Sequence, residues 1–344
     1  MEVHNSKNPY ISILISNYNY QKYVIRCLES CRKQTFNDFE IVIVDDCSTD
    51  NSVQIINKYI NEHIDLDIKF FRLNSNLGPS GAKDKALSEA KGDYIIIVDA
   101  DDWMDEDCLE TLADTAKKTR ADKIRAQVRT YSEDSSKIIR ERKIPKKTNK
   151  WCEGMFAATL LKREMFTKNN IRYCTDRRVS DDLFLMTLVN KYSEKCEYIR
   201  KTVYTISYKS DSDSGINRFN MENKVEYSYM TNNKVFDIYK TLNDKDKVGC
   251  EYLFTKQYFF LLLQYSRALS FKDISVYHKN LFNATNTFFP RFYNNANIKL
   301  IENGDPFFFR LVMWICCIFE RMHIMNPVLK VYWTLSKKVK FVTR

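Results

Sequence analysis

Asp99, Asp101 and Asp102 fall within four residues, directly after the apolar run Tyr94-Ile95-Ile96-Ile97-Val98. A run of that length, rich in β-branched residues and without polar alternation, reads as a strand buried on both faces. Carboxylates crowded at the carboxyl end of such a strand repel one another and lose hydration. A divalent cation among them would make the arrangement tolerable. Hard oxygen ligands suit Mg2+ or Mn2+, which keep coordination positions for substrate phosphates. The plainer reading is a strand-to-helix loop in which Asp102 or Asp105 caps the next helix.

The elements that must position these acids alternate through the first hundred residues. Residues 11–15 form an apolar run that ends in Ser16-Asn17-Tyr18-Asn19. Tyr23, Val24, Cys27, Leu28 and Cys31 then recur at helical spacing, with Asn19 placed to act as N-cap. A second strand, 39–44, stops at Asp45-Asp46-Cys47, and Val53, Ile56, Tyr59 and Ile60 mark one face of the next helix. Residues 68–73 read as a third strand, followed by a loop with Gly78 and a helix to Lys91. Gly92 stands where a helix-terminating glycine belongs. Such alternation specifies an α/β fold with a mostly parallel, doubly wound sheet. Ligands of such sheets sit beyond the carboxyl ends of the strands. Three of those ends carry Ser16 to Tyr18, Asp45 with Asp46, and Asp99 to Asp102. No G-x-G-x-x-G follows the first strand and no G-x-x-x-x-G-K-[ST] occurs, which disfavours dehydrogenase-type dinucleotide binding and excludes the phosphate-loop NTPases.

Composition narrows the partners. The chain has 344 residues, 44% of them hydrophobic, enough for one large domain with an appendage or for two. A net charge of +10 favours a polyanionic partner: nucleic acid, nucleotide phosphate or an anionic membrane surface. No nucleic-acid-binding motif is recognisable, so no nucleic acid is expected. The ten cysteines follow no even framework, and buried thiols in a reducing cytosol are expected. The first residues carry no apolar signal region, and no run approaches a spanning helix.

ISILISNYNYQKYVIRCLESCRKQTFNDFEIVIVDDCSTDNS and, further on, NLGPSGAKDKALSEAKGDYIIIVDADDW resemble the family 2 glycosyltransferases, nucleotide-sugar-dependent enzymes of the GT-A (Rossmann-like) fold. The likeness is close over residues 10 to 110 and looser to 215. It implies that Ser16, Tyr18 and Asp46 bind the nucleoside of the donor, Asp46 accepting from the uracil or ribose. Asp46 could instead make an Asx-turn or cap the helix at Ser52. Lys83 takes the place of a usual arginine near the pyrophosphate, keeping the charge but losing the bidentate fork. Asp84 replaces a usual asparagine. Cys47 replaces a frequent glycine, so positive φ is not expected there. Asp99 and Asp101 match the pair that holds the metal, Asp99 also contacting the donor, and the metal would stabilise the leaving nucleoside diphosphate. Asp102 is left to orient the loop or to cap the helix at Glu106.

In the second half, residues 122–131 read as a strand, and a basic, mobile stretch is expected over 132–150. LLKREMF is similar to the family's acceptor-side segment. Val179-Ser180-Asp181-Asp182 resembles its Glu-Asp motif, with Asp181 in the Glu position. The resemblance makes Asp182 the general base that takes the proton of the acceptor hydroxyl in an inverting transfer; the alternative is that Asp181 or Asp182 caps the following helix. Tyr208-Lys209 and the Ser-rich loop to Asn217 resemble the segment that covers the donor. Beyond Phe219 aromatic stripes at helical spacing read as core. Over 306–344, lysines and arginines face a single acid, Glu320. That segment suits either an interfacial helix on an anionic leaflet or a terminal helix packed on the bundle.

The expected organisation is a GT-A catalytic domain over 1–217 and a helical C-terminal region over 218–344. The expected activity is metal-dependent (Mn2+ or Mg2+), inverting transfer of one sugar from a nucleotide sugar, a UDP-sugar by preference. The acceptor would be a saccharide or lipid-linked saccharide of surface-glycan synthesis, at the cytoplasmic face of the membrane. A non-catalytic nucleotide-sugar- or membrane-binding module with the same fold is the alternative, and the intact Asp99, Asp101 and Asp182 argue against it.

Overall fold

A computed structural model describes residues 8–146, 148–152, 155–176, 180–209, 221–266, 269–270, 272–298 and 307–338. The expected donor-covering loop over 210–217, Val179 and the tail beyond 338 lie outside the described residues. The chain divides into two compact units. One comprises residues 1–144, 155–177 and 192–209. The other takes the helical region from 210 onward together with 145–154 and 178–191.

The first unit is built on β1 (Ile11–Asn17), α1 (Val24–Arg32), β2 (Phe39–Asp45), α2 (Ser52–Glu62), β3 (Ile68–Arg72), α3 (Gly78–Glu89) and β4 (Tyr94–Asp99). These strands pair in parallel in the order β3-β2-β1-β4. Beyond β4 the sheet becomes mixed. The later elements are β5 (Trp103–Met104), α4 (Cys108–Thr119), β6 (Lys123–Ser132), β7 (Lys137–Arg142), β8 (Thr159–Lys162), α5 (Arg163–Lys168), α6 (Asp181–Tyr192) and β9 (Cys196–Tyr208). β8 runs antiparallel to both β4 and β6, and β9 runs parallel to β6. β7 pairs with β6, so part of the basic stretch expected to be mobile is a strand. Ile13, Ile15, Ile41, Ile43, Ile96 and Val98 are fully buried, as uninterrupted apolar runs between two helix layers require.

Several local expectations are corrected. Asn19 does not cap α1, whose N-cap is Tyr23. It turns at φ 58° and its side-chain oxygen accepts the Thr49 N–H at 2.9 Å, tying the β1 and β2 loops together. Cys47 does adopt positive φ, 61°. Gly92 does not terminate α3, whose C-cap is Ala90. It is a glycine because β1 passes close by: an added Cβ would lie 2.5 Å from the Ser12 nitrogen.

The second unit holds α6 to residue 191, α7 (Met221–Lys240), α8 (Asp244–Ser266), α9 (Ile274–Asn286), α10 (Phe307–Arg321) and α11 (Met325–Lys338). The short turn Lys150–Cys152 joins it for a visible reason. Trp151 lies against Gly249, where an added Cβ would come within 2.3 Å of the indole, and its Nε1–H donates to Asp246 at 2.8 Å. Lys256 donates to the Cys152 carbonyl at 2.6 Å. The aromatic stripes are core, as expected: Tyr252, Phe254, Tyr258, Phe289 and Phe292 are buried.

α10 and α11 pack on this unit through Met313, Cys316, Cys317, Met325 and Leu329, while Trp314, Met322, Val331 and Leu335 remain exposed. A buried polar cluster joins the same helices. Glu320 accepts from the Tyr258 hydroxyl at 2.5 Å and faces His278 Nε2 at 3.0 Å, and His278 Nδ1 faces Asn326 at 2.9 Å. Removing one member of such a cluster leaves its partners buried without compensation. Glu320→Ala is therefore expected to lower stability by about 3–5 kcal/mol, read as a fall in the urea midpoint of tryptophan fluorescence. Lys58→Ala, which breaks only the exposed Lys58–Glu62 pair, should change it by less than about 1 kcal/mol. Equal effects would contradict a structural role for the cluster.

Candidate functional site

The parallel register decides which strand tips meet. β1 lies between β2 and β4, with Asn17 opposite Asp45 and Ser16 opposite Asp99. Ser16, Tyr18, Asp46 and Asp99 therefore share the carboxyl edge of the sheet, as the sequence predicts for this fold. Asp99, the last residue of β4, is 53% exposed. The buried Lys83 of α3 brings its ammonium to 3.5 Å from the Asp99 carboxylate. Tyr18 is exposed at the tip of the β1 loop and Ser16 is half-buried.

The Asp99–Asp102 turn is closed by its own backbone, Asp102 N–H donating to the Asp99 carbonyl at 2.9 Å. The buried Cys27 thiol approaches the same carbonyl from below at 3.7 Å. Asp102 faces inward, accepting the Tyr204 hydroxyl at 2.9 Å and the Ser207 N–H at 2.8 Å. Burial, then Asp99 and Asp101, push its carboxyl well above the usual range. Asp102 thus orients the loop. Neither it nor Asp105 caps α4 through its side chain, since the N-cap position belongs to Asp107. Asp101 lies 3.3 Å from the Lys209 ammonium. Burial, with the Asp99 charge second, raises its pKa.

Asp46 has a role that neither sequence reading named. Its carboxylate accepts the Leu77 and Gly78 N–H groups at 2.7 and 2.8 Å, holding the start of α3 and hence the helix that carries Lys83. The Asx-turn before Ser52 belongs to Asp50, which accepts the Ser52 N–H at 2.9 Å, while Asp45 accepts the Ser48 N–H at 2.9 Å. Asp84 also gains an explanation. Arg172 forks onto it at 2.8 and 2.7 Å, and the Tyr173 N–H adds a third bond at 3.1 Å. An asparagine could accept only part of that fork.

Sequence reasoning missed Arg26. It donates to the Asp101 carbonyl at 2.8 Å and to Glu133 at 2.6 Å, and lies 4.0 Å over the Trp103 ring. A single arginine on an amphipathic helix carries no pattern that marks it. Tyr20 and Tyr23 pack against Lys209, and of the two only Tyr23 was visible, as a helix-face aromatic. Asp182 belongs to the second unit, half-buried in the first turn of α6. Preceding it, the Ser180 N–H donates to the Thr231 hydroxyl at 2.8 Å.

The donor set can be weighed for a cation. Among the described residues no group of three or more His, Cys, Asp or Glu is arranged as a metal site. Asp102 is committed to Tyr204 and Ser207, which leaves Asp99 and Asp101. Burial and, second to it, the Asp99 charge disfavour an ionised Asp101, and two such hard oxygen donors are of the kind that fits Mg2+ or Mn2+.

Likenesses to known proteins bear on this arrangement. The sequence matches the family model described as glycosyl transferase family 2 over residues 12–187. The poly(ribitol-phosphate) beta-N-acetylglucosaminyltransferase TarS of Staphylococcus aureus is 41% identical over 108 residues, which cover 30% of this chain and 18% of TarS. The TarS 1-349 structure with UDP-GlcNAc superposes with a TM-score of 0.70 at 18% identity, over 97% of this chain and 93% of that one. A cholesterol galactosyltransferase of Borreliella burgdorferi is 27% identical over 295 residues, 79% of this chain and 77% of that protein. A mannosyltransferase of Pyrobaculum calidifontis in complex with GDP-Man and Mn2+ gives a TM-score of 0.54 at 12% identity, covering 98% and 89% of the two chains. The fold is thus that of GT-A proteins, with a helical C-terminal region.

Proposed function

The chain belongs to glycosyl transferase family 2, and from that premise we propose that it transfers a single sugar from a nucleotide sugar, preferentially a UDP-sugar, to a saccharide or lipid-linked saccharide acceptor. The observation that carries this reading is the shared strand edge, where Asp99 and Ser16 stand in register and Lys83 reaches Asp99 at 3.5 Å. The likeness to TarS with UDP-GlcNAc supports a uridine donor, and the cholesterol galactosyltransferase supports an acceptor with a lipid part.

In this reading Ser16 and Tyr18 line the nucleoside. Asp46, at the same strand edge, accepts from its uracil or ribose, and Asp99 touches the donor beside the metal. Asp99 and Asp101 would hold Mn2+ or Mg2+, which when bound supplies Lewis-acid stabilisation of the departing diphosphate. Lys83 adds a fixed positive charge on the same side. Asp182 takes the proton of the attacking acceptor hydroxyl, and one carboxylate working opposite the leaving group gives inversion. The apolar residues exposed on α10, on α11 and in the turn between them, Trp314, Val331, Leu335 and Met322, support peripheral contact with an anionic membrane where a lipid-linked acceptor resides. Among the described residues no helix is long and apolar enough to cross a membrane.

The test is release of the nucleoside diphosphate from a panel of UDP- and GDP-sugars, with and without a mixed saccharide acceptor, in Mn2+ and again in excess chelator. Turnover with at least one UDP-sugar that chelation abolishes is the expected result. No turnover with any donor, alongside tight donor binding, would replace the enzyme reading with that of a binding module.

A further inference from the structure

Lys209, the residue that follows β9, is as enclosed as the acid it faces: its side chain is 10% exposed and that of Asp101 is 15% exposed. Its ammonium stands 3.3 Å from Asp101, 3.3 Å from the centre of the Tyr23 ring and 4.8 Å from that of Tyr20. Two aromatic faces and one carboxylate thus hold a strongly hydrated cation away from water, in the same unit as Asp99 and Lys83. Any divalent cation drawn to Asp101 must share that carboxylate with the ammonium. The other acid nearby, Glu133, already accepts from Arg26 at 2.6 Å and from the Ser207 hydroxyl at 2.6 Å. The anion that would arrive together with a divalent cation is a diphosphate.

We propose that Lys209 is a diphosphate-binding residue, its ammonium held against Asp101 by Tyr20 and Tyr23 and passed to a diphosphate oxygen when a nucleotide sugar and its cation occupy the site. This rests on the nucleotide-sugar reading and deepens it. With Lys83 beside Asp99 and Lys209 beside Asp101, each acid of the pair has its own lysine. The charges of the two acids are therefore balanced even before a metal ion enters. Nothing in the transfer changes in its balance of atoms: the lysine neither gains nor loses a bond, and only its electrostatic partner changes.

The experiment is calorimetric titration of the full chain with UDP, in Mn2+ and in excess chelator, for the wild type, Lys209→Met, Lys209→Gln and Lys209→Arg. Titration with Mn2+ alone gives a second readout. Losing a charge-assisted contact should weaken UDP binding by about tenfold or more in Lys209→Met and Lys209→Gln. Lys209→Arg should stay within about threefold of the wild type, because the charge survives. Mn2+ alone should bind the Met and Gln variants more tightly, since the competing ammonium is gone. Wild-type UDP affinity in whichever of the Met and Gln variants folds overturns the inference and leaves the donor reading standing. A wild type that binds UDP in neither condition overturns the donor reading, and this inference with it.

Discussion

Asp101→Asn is expected to lower sugar transfer by about a hundred- to a thousandfold, the scale of losing one preorganised electrostatic contact to a charge that develops in the transition state. The substitution keeps the shape of the side chain and removes only its charge. The loop backbone should keep its conformation, because Asp102, Arg26 and Cys27 hold it independently of the Asp101 charge. Stability should separate the two effects. Burial and the Asp99 charge raise the Asp101 pKa in the folded chain, so its ionised form weakens the fold. That cost is absent below the ordinary carboxylate pKa and develops as pH rises through the raised value. The asparagine variant should therefore match the wild type in Tm near pH 4 and equal or exceed it at pH 7, while transferring almost no sugar. A variant that loses both activity and Tm at pH 7 would mean that Asp101 serves the fold instead.

Asp182→Asn is expected to cut kcat by about a hundred- to ten-thousandfold, the usual worth of a positioned general base. UDP affinity and its response to Mn2+ should stay unchanged, because the proposed donor and metal residues, Ser16, Tyr18, Asp46, Lys83, Asp99 and Asp101, all belong to the other unit. Raising the acceptor concentration should not rescue the variant, since the missing step is proton removal rather than binding. The rival role, capping α6, makes the opposite forecast. Loss of a helix cap costs about 1 kcal/mol of stability with little loss of turnover. Normal turnover with a lowered Tm would remove Asp182 from the chemistry.

The parts of the molecule that were legible in the sequence are those where one physical cause dominates. Mostly apolar runs rich in β-branched residues at 11–15, 39–44 and 94–98 became central parallel strands, because nothing else buries such runs so well. The acids at their ends fell on one edge because parallel strands share a direction. What escaped depends on contacts distant in sequence. Gly92 resembled a helix terminus, yet its lack of a side chain serves the backbone of β1, some eighty residues earlier in the chain. Asn19 had the composition of a cap but spends its side chain on the β2 loop. Asp84 became intelligible only when Arg172 was seen to fork onto it. Lys150–Cys152 joins the helical unit through Trp151 and Gly249, a packing that no periodicity announces. Lys209 stood in the sequence only as part of a segment that resembles a donor cover, with no partner named, and the pairing of β9 with β6 and β5 brings it to Asp101.

The central claim is that Asp99 and Asp101 grip a divalent cation together with the diphosphate of the donor. Anomalous scattering from Mn2+ in crystals grown with UDP tests it most directly. The expected result is a single strong peak within about 2.5 Å of an Asp101 carboxylate oxygen and of a UDP phosphate oxygen. UDP bound at this strand edge with no such peak, or a peak held by other residues, would contradict it.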